Sequence, residues 1–121
     1  MNFKNIGAVS AALAIGLGAM GAHALEPQLV ADGKLEVWKT AALYHLVHSV
    51  ALYFLAVMEG REPNRPGRVA MWLWFVGILL FSGSLYGLSL TSWSVLGPIT
   101  PIGGLSFIAG WLALLFGKAK P

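Results

Sequence analysis

The hydrophobic positions of this chain form long uninterrupted runs rather than the alternating or spaced patterns of a soluble domain. Between Arg68 and Lys118 lie 49 consecutive residues without Asp, Glu, Lys, Arg or His. One helix of that length would measure about 74 Å at ~1.5 Å per residue, more than twice the ~30 Å hydrocarbon thickness of a bilayer. The run therefore predicts two membrane-spanning helices, with the turn at residues 91–98 and a second proline at Pro101.

Two further uncharged runs, residues 5–25 and 40–58, precede it. Each is close to the ~20 residues that one membrane crossing requires. Together the four runs predict an all-α integral membrane four-helix bundle, with spans at about 5–25, 38–58, 69–90 and 100–117. We expect residues 1–121 to form a single transmembrane domain. The composition agrees, because 57% of the residues are hydrophobic and only 11% are charged, against about 25% charged in soluble proteins.

The basic residues predict the orientation of the chain. With four spans, six of the eight lie on one side of the membrane: Lys4, Arg61, Arg65, Arg68, Lys118 and Lys120. Lys34 and Lys39 lie on the other. By the positive-inside rule, both termini and the Arg-rich loop are cytoplasmic. Four tryptophans lie at predicted span ends, as interfacial aromatic residues tend to: Trp38, Trp72, Trp74 and Trp93.

A secretory signal peptide is the alternative reading of the first run. Lys4 suits a basic n-region, and Ala22-His23-Ala24 suits a small-residue cleavage site. Cleavage after Ala24 would leave three spans and place the new terminus outside. The segment also carries small residues at every fourth position, from Ser10 to Ala22. A discarded peptide has no need of such a packing pattern, which favours four spans.

Small residues recur at helical spacing in several predicted spans, and they predict the helix-packing surfaces. Such residues let neighbouring helix backbones approach closely within a bilayer. The candidates are Gly18 in the first span, Gly83 and Gly87 in the third, and Gly103, Ser106 and Gly110 in the fourth. The last three are separated by steps of three and four residues, the spacing of a left-handed seam. We interpret all six as packing positions rather than as a cofactor crevice.

Three histidines fall within the predicted spans and are the candidates for a functional site. His45 and His48 share one face of the second span, and His23 lies near the outer end of the first. Imidazole can bind a metal, haem or a proton, yet no carboxylate lies in any span to complete a metal site. A neutral, hydrogen-bonded role explains the same residues. For His48 we expect the partners to be hydroxyls or backbone carbonyls of the first or third span, with Ser82, Ser84 and Tyr86 as the candidates.

Several short motifs resemble the YgdD-like family of small four-span membrane proteins. They are Gly18-Ala19-Met20-Gly21-Ala22-His23, Trp38-Lys39-Thr40-Ala41 with Tyr44, His45 and His48, Phe81-Ser82-Gly83-Ser84-Leu85-Tyr86, and Thr100-Pro101-Ile102-Gly103-Gly104 with Phe107, Gly110 and Trp111. The resemblance implies a bacterial inner-membrane protein that keeps the segment around His23. It implies no activity, since the molecular function of that family is unknown. His48 matches a family histidine, whereas Gln is common at the position of His45.

Three classes of function remain open after these observations. The first is a noncatalytic membrane component that packs in the lipid bilayer as a homo-oligomer or within a larger membrane complex. The second is a proton-linked carrier, and the third is a redox subunit that binds haem, a metal or a quinone; both would use His23, His45 and His48. No catalytic residues or metal ligands can be assigned, and the cofactor is unknown. The chain lacks cysteine, and its basic loops suit membrane orientation rather than nucleic acid.

Overall fold

The computed structural model describes residues 2–61 and 63–117. Within them the chain is all-α, and four of its helices are long and apolar enough to cross a membrane. This confirms the predicted membrane helical bundle. The helices are α1 (Phe3–Ala22), α2 (Glu26–Ala31), α3 (Leu35–Arg61), α4 (Arg65–Leu90) and α5 (Leu96–Phe116). Helix α4 contains a π-helical segment at Ile78–Ser82, and α5 ends in a 3₁₀ turn at Leu114–Phe116.

The helix ends differ from the predicted spans for local reasons. Helix α1 begins at Phe3 because the Asn2 side chain caps it, accepting hydrogen bonds from the backbone N–H groups of Lys4 and Asn5. It ends at Ala22, three residues before the predicted limit. The short helix α2 follows, and Gly33 then reverses the chain into α3 with φ of 68°.

The turn between α4 and α5 is shorter than predicted. The sequence placed it at residues 91–98, but α5 begins at Leu96. Pro98 therefore lies in the first helical turn. Backbone N–H groups there have no acceptor within the helix, so the N–H that proline lacks costs no hydrogen bond. Pro101 lies inside α5 and removes one backbone hydrogen bond from it.

Helix α3 occupies the centre of the arrangement. It packs against α1 on one side and α4 on another, and α4 in turn packs along α5. Helix α1 meets α4 through aromatic side chains at one end, where Phe3 contacts the rings of Trp72 and Phe75 at centroid distances of 5.0 and 5.9 Å. The two helices diverge beyond that contact, which leaves a crevice between them.

The contacts of Phe3 also bring four of the basic residues to one end of the bundle. The start of α1, the end of α3 and the start of α4 meet there, and four basic side chains accompany them: Lys4, Arg61, Arg65 and Arg68. Lys34 and Lys39 lie at the opposite end, around the start of α3. Lys118 and Lys120 lie outside the described residues.

Helix α1 packs on α3 through a seven-residue repeat that shares Ala14 with the predicted four-residue stripe. Its buried residues are Gly7, Ala14 and Gly21. A Cβ on Gly7 would lie 2.8 Å from the backbone nitrogen of Tyr53, and one on Gly21 would overlap the indole of Trp38. Gly18 has more room, because a Cβ there would lie 3.9 Å from the Cβ of Ala42.

Helix α5 meets α4 through its glycines. Gly103 and Gly110 are buried. A Cβ on Gly103 would overlap the backbone at Phe81, and one on Gly110 would lie 2.5 Å from the Trp74 ring. Between them, the Ser106 hydroxyl donates a 2.6 Å hydrogen bond to the carbonyl of Leu73.

The two glycines predicted as a packing pair on the third span lie differently. Gly87 lies close to the Leu96 side chain, because a Cβ placed on Gly87 would be 2.6 Å from a methyl carbon of Leu96. Gly83 is exposed, and the nearest atom to such a Cβ is the Ile78 carbonyl oxygen at 3.8 Å. Gly83 thus faces the crevice between α1 and α4 instead of a neighbouring helix.

The tryptophans divide between the core and the surface. Trp72 and Trp93 are exposed, whereas Trp38 and Trp74 are only 2% and 1% exposed. Trp38 is fixed by its indole N–H, which donates a 2.8 Å hydrogen bond to the carbonyl of Leu17. Trp38 and Trp74 therefore fill space between helices, a contact that their positions at predicted span ends did not predict.

Candidate functional site

His45 lies in a closed set of hydrogen bonds that joins three helices. Its Nε2 is 2.9 Å from the hydroxyl of Ser10 on α1, and its Nδ1 is 2.9 Å from the hydroxyl of Tyr86 on α4. The Ser10 oxygen is also 2.5 Å from the hydroxyl of Ser49, one turn further along α3. Ser49 donates to the backbone carbonyl of His45 at 2.6 Å. We call these four residues the His45 cluster.

The direction of each hydrogen bond in the His45 cluster follows from counting hydrogens. The single hydroxyl hydrogen of Ser49 is committed to a carbonyl, so Ser10 donates to Ser49. Ser10 then has no hydrogen left for His45, whose Nε2 must carry the proton. The bare Nδ1 accepts from Tyr86. The arrangement assigns a neutral imidazole with both ring nitrogens paired.

His48 has a separate set of partners. Its Nδ1 donates to the Tyr44 carbonyl at 2.8 Å, and its Nε2 accepts a 3.0 Å hydrogen bond from the indole N–H of Trp111 on α5. The imidazole stacks on Phe107, with ring centroids 3.7 Å apart and planes 13° from parallel. These bonds assign the neutral Nδ1–H tautomer, because a proton on Nε2 would oppose the indole N–H.

The predicted partners of His48 were wrong. Tyr86 bonds to His45 instead, Ser82 donates to the Ala41 carbonyl at 2.9 Å, and Ser84 bonds to the Phe81 carbonyl and to Thr100. Helix α5, rather than the first or third span, supplies the side chain that bonds to His48. The 3.6-residue period of a helix shows which residues share a face, but it does not show which neighbouring helix that face meets. His45 and His48, three residues apart, point in directions different enough to meet different helices.

The structure does not bring the three histidines together. His45 points to α1 and α4, His48 points to α5, and His23 is exposed at the end of α1. Among the described residues, no group of three or more His, Cys, Asp or Glu side chains is placed to hold a metal. A metal or haem at His45 or His48 would first have to displace a hydroxyl or an indole.

Sequence reasoning missed Ser10, Ser49 and Trp111 as partners of the histidines. Ser49 follows His45 by four residues and Ser10 interrupts an Ala-rich helix, so each was a visible polar position inside a span. Hydroxyls at such positions tend to bond across helices or back to a carbonyl. Their pairing depends on how α1 rotates against α3, which the seven-residue repeat of α1 determines.

A crevice of about 540 Å³ opens between α1 and α4, beside the His45 cluster. Most of its lining is apolar, and Ser10, His45 and Tyr86 form its polar wall. The other lining residues include Ile6, Val9, Leu13, Leu17, Phe75, Ile78, Leu79 and Gly83. The π-helical segment of α4 supplies Ile78 and Leu79 to this wall. Single π-turns within α-helices are frequent at functional sites.

One buried side-chain polar atom of the described residues lacks a hydrogen-bond partner. It is the indole nitrogen of Trp74, which lies beside Gly110 and near the ring of Trp111, at a centroid distance of 4.5 Å. Most buried donors in proteins are paired, so Trp74 is an exception inside an otherwise satisfied core. It lies at the close contact of α4 with Gly110 of α5.

Comparison with known proteins gives the family. Residues 17–104 match the family described as Protein of unknown function (DUF423). The chain belongs to the DUF423 family. The matched segment holds His23, His45 and His48 together with Gly18, Gly83, Gly87 and Gly103; Ser106 and Gly110 follow it. The narrower resemblance to YgdD-like proteins stays a prediction.

Relatives of this DUF423 chain are membrane proteins. It is 45% identical to UPF0382 membrane protein YwdK of Bacillus subtilis (strain 168), over 98% of this chain and 96% of the relative. It is also 45% identical to UPF0382 membrane protein SSP2132 of Staphylococcus saprophyticus, over 98% and 97% of the two chains. No solved structure matches it. The protein is thus a multi-pass membrane protein from a family of unknown function, as the sequence predicted.

Proposed function

We propose that this protein is a noncatalytic component of the bacterial inner membrane, which packs with itself or with a larger membrane complex. The proposal rests on one observation: the polar side chains in the middle of the spans form hydrogen bonds within the bundle. Both ring nitrogens of His45 and of His48 are paired inside the bundle. A nucleophile, base or proton donor in an enzyme needs a free lone pair or hydrogen that points to a substrate.

The outer surface of the bundle supports an assembly role. Helix α1 presents an exposed stripe of small residues at Ala8, Ala12 and Gly16, and nothing lies within 4 Å of a Cβ placed on Gly16. Such stripes suit close contact between membrane helices, because bilayer lipid offers no hydrophobic drive for their association. Ala12 and Gly16 lie away from the α1 residues that pack on α3, so they are available to another chain, whereas Ala8 borders a groove beside Tyr53 and Phe54 of α3.

We propose further that both termini are cytoplasmic. Four basic side chains lie at the end of the bundle where α1 begins, and loops rich in Lys and Arg stay on the cytoplasmic side. The proton-linked and redox alternatives have less support. Each would need His45 or His48 to give up a hydrogen bond within the bundle.

Purification from native membranes in mild detergent tests the proposal. We expect a particle larger than one chain by light scattering, with a fixed ratio of copies or of partner chains by intact mass. Ala12→Leu should reduce the association by wedging the α1 stripe apart, and Leu105→Phe on the exposed side of α5 is the control of added bulk. A single chain in both detergent and nanodiscs, or a stoichiometric chromophore or metal, would contradict the proposal.

A further inference from the structure

The crevice between α1 and α4 has the features of a ligand site at membrane depth. It holds about 540 Å³ and joins apolar walls to one polar wall, the usual composition of small-molecule sites. Its walls come from α1 and α4, with His45 of α3 in the lining, and the contact of Phe3 with Trp72 joins the two helices at one end. Helices α1 and α4 do not pack together beyond that contact, so the crevice opens sideways to the hydrocarbon layer.

The polar wall of the crevice offers acceptors only. The hydroxyl hydrogens of Ser10, Ser49 and Tyr86 and the Nε2 proton of His45 are all used within the His45 cluster. The Tyr86 oxygen accepts no hydrogen bond from the described residues, and the Ser10 oxygen accepts only the one from His45. Each therefore keeps a lone pair for a hydrogen that a ligand would supply.

We propose that this crevice binds a long-chain alcohol, an apolar molecule that carries one hydroxyl donor. The hydroxyl donates to Tyr86 or Ser10, and the chain lies along the side chains of Val9, Leu13 and Leu79. A carbonyl or ether would place acceptor against acceptor at this wall. A second polar group on the ligand would face apolar side chains, since apart from the cluster residues only the exposed Asn5 brings a polar side chain to the lining.

Gly83 provides a way to fill the crevice without disturbing helix packing. It lines the crevice, and a Cβ placed on it has no neighbour closer than 3.8 Å. Gly83→Leu should therefore occupy the ligand volume while the bundle folds normally. Gly97→Leu is the matched control, because that Cβ also has open space around it but lies in the exposed first turn of α5, outside the crevice lining. If Gly83→Leu does not fold, Leu13→Trp fills the same crevice from α1.

The test is equilibrium binding of radiolabelled farnesol, with its methyl ether as competitor, to the purified chain in nanodiscs. We expect farnesol to bind about three- to tenfold more tightly than the ether, the value of one hydrogen bond in a membrane interior. Gly83→Leu should abolish binding, Gly97→Leu should leave it unchanged, and Tyr86→Phe should reduce the preference for the alcohol.

Three results would overturn the proposal. The first is equal affinity for farnesol and its ether in the wild-type chain, which would remove the role of the hydroxyl. The second is unchanged farnesol binding in a folded Gly83→Leu or Leu13→Trp variant, which would place the ligand elsewhere. The third is a phospholipid that native mass spectrometry finds bound to the wild type, lost in Gly83→Leu, and not displaced by farnesol. The proposal does not depend on the assembly role, which is measured by a different variant.

Discussion

At the scale of single residues, polar side chains hold the helices together by bonding in closed sets inside an apolar environment. His48 and Trp111 connect α3 to α5, and Ser10 with His45 connects α1 to α3. Polar groups that lose their partner in such surroundings carry a desolvation cost of about 1–3 kcal/mol. Their pairing also makes the rotation of each helix unique, because a rotated helix would leave both partners unpaired.

The bond between His48 and Trp111 gives a prediction for a double-mutant cycle. We expect Trp111→Phe and His48→Leu each to lower the free energy of unfolding, with a coupling of about 0.6–1.7 kcal/mol between them, as for other hydrogen bonds between membrane helices. Reversible unfolding in mixed micelles measures this. His48→Gln should lose less than His48→Leu, since an amide can donate to Tyr44 and accept from Trp111. A coupling of zero would show that the bond contributes nothing to stability.

At the scale of helices, glycine determines which faces meet. Gly103 and Gly104 are neighbours on α5 with opposite surroundings. A Cβ on Gly103 would overlap backbone atoms at Phe81, whereas a Cβ on Gly104 would lie 3.5 Å from the Phe81 ring, an ordinary contact. Backbone cannot move aside as a flexible side chain can, so the approach of α5 to α4 depends on Gly103.

These neighbours give a matched pair of alanine substitutions. Gly103→Ala should destabilise the bundle by about 1–3 kcal/mol through overpacking. Gly104→Ala should be neutral or should stabilise by up to about 1 kcal/mol, because alanine restricts the unfolded chain. Thermal unfolding of both variants in detergent provides the comparison. Equal effects would mean that the close approach at Gly103 does not exist.

Hydropathy and small-residue spacing were sufficient to predict the helices but only some of their contacts. The uncharged runs gave four spans because a crossing needs about 20 apolar residues. The stripe through Gly18 shares Ala14 with the repeat that packs on α3, but it did not include Gly7 and Gly21, which approach α3 more closely. A helix with small residues on several faces does not show which face a neighbour will use. Gly83 illustrates the converse, since a glycine at packing spacing can instead open a crevice.

At the scale of the whole molecule, the four spans form an open arrangement rather than a closed square. Helix α3 packs on both sides, while α1 and α4 touch mainly through Phe3 at one end. The candidate site follows from this arrangement, because the His45 cluster lies where the two helices diverge. No sequence pattern predicts that gap. It depends on which helices become neighbours, and four spans with short loops allow more than one order.

The orientation of the bundle can be measured directly, because the chain contains no cysteine and single cysteines can be introduced at exposed positions. The test is labelling by a membrane-impermeant maleimide in intact spheroplasts. We expect Asp32→Cys and Ser94→Cys to react there, and Lys4→Cys and Arg61→Cys to react only after the membrane is opened. Reaction of Arg61→Cys in intact spheroplasts, or loss of Lys4→Cys from the mature chain, would contradict four spans with cytoplasmic termini.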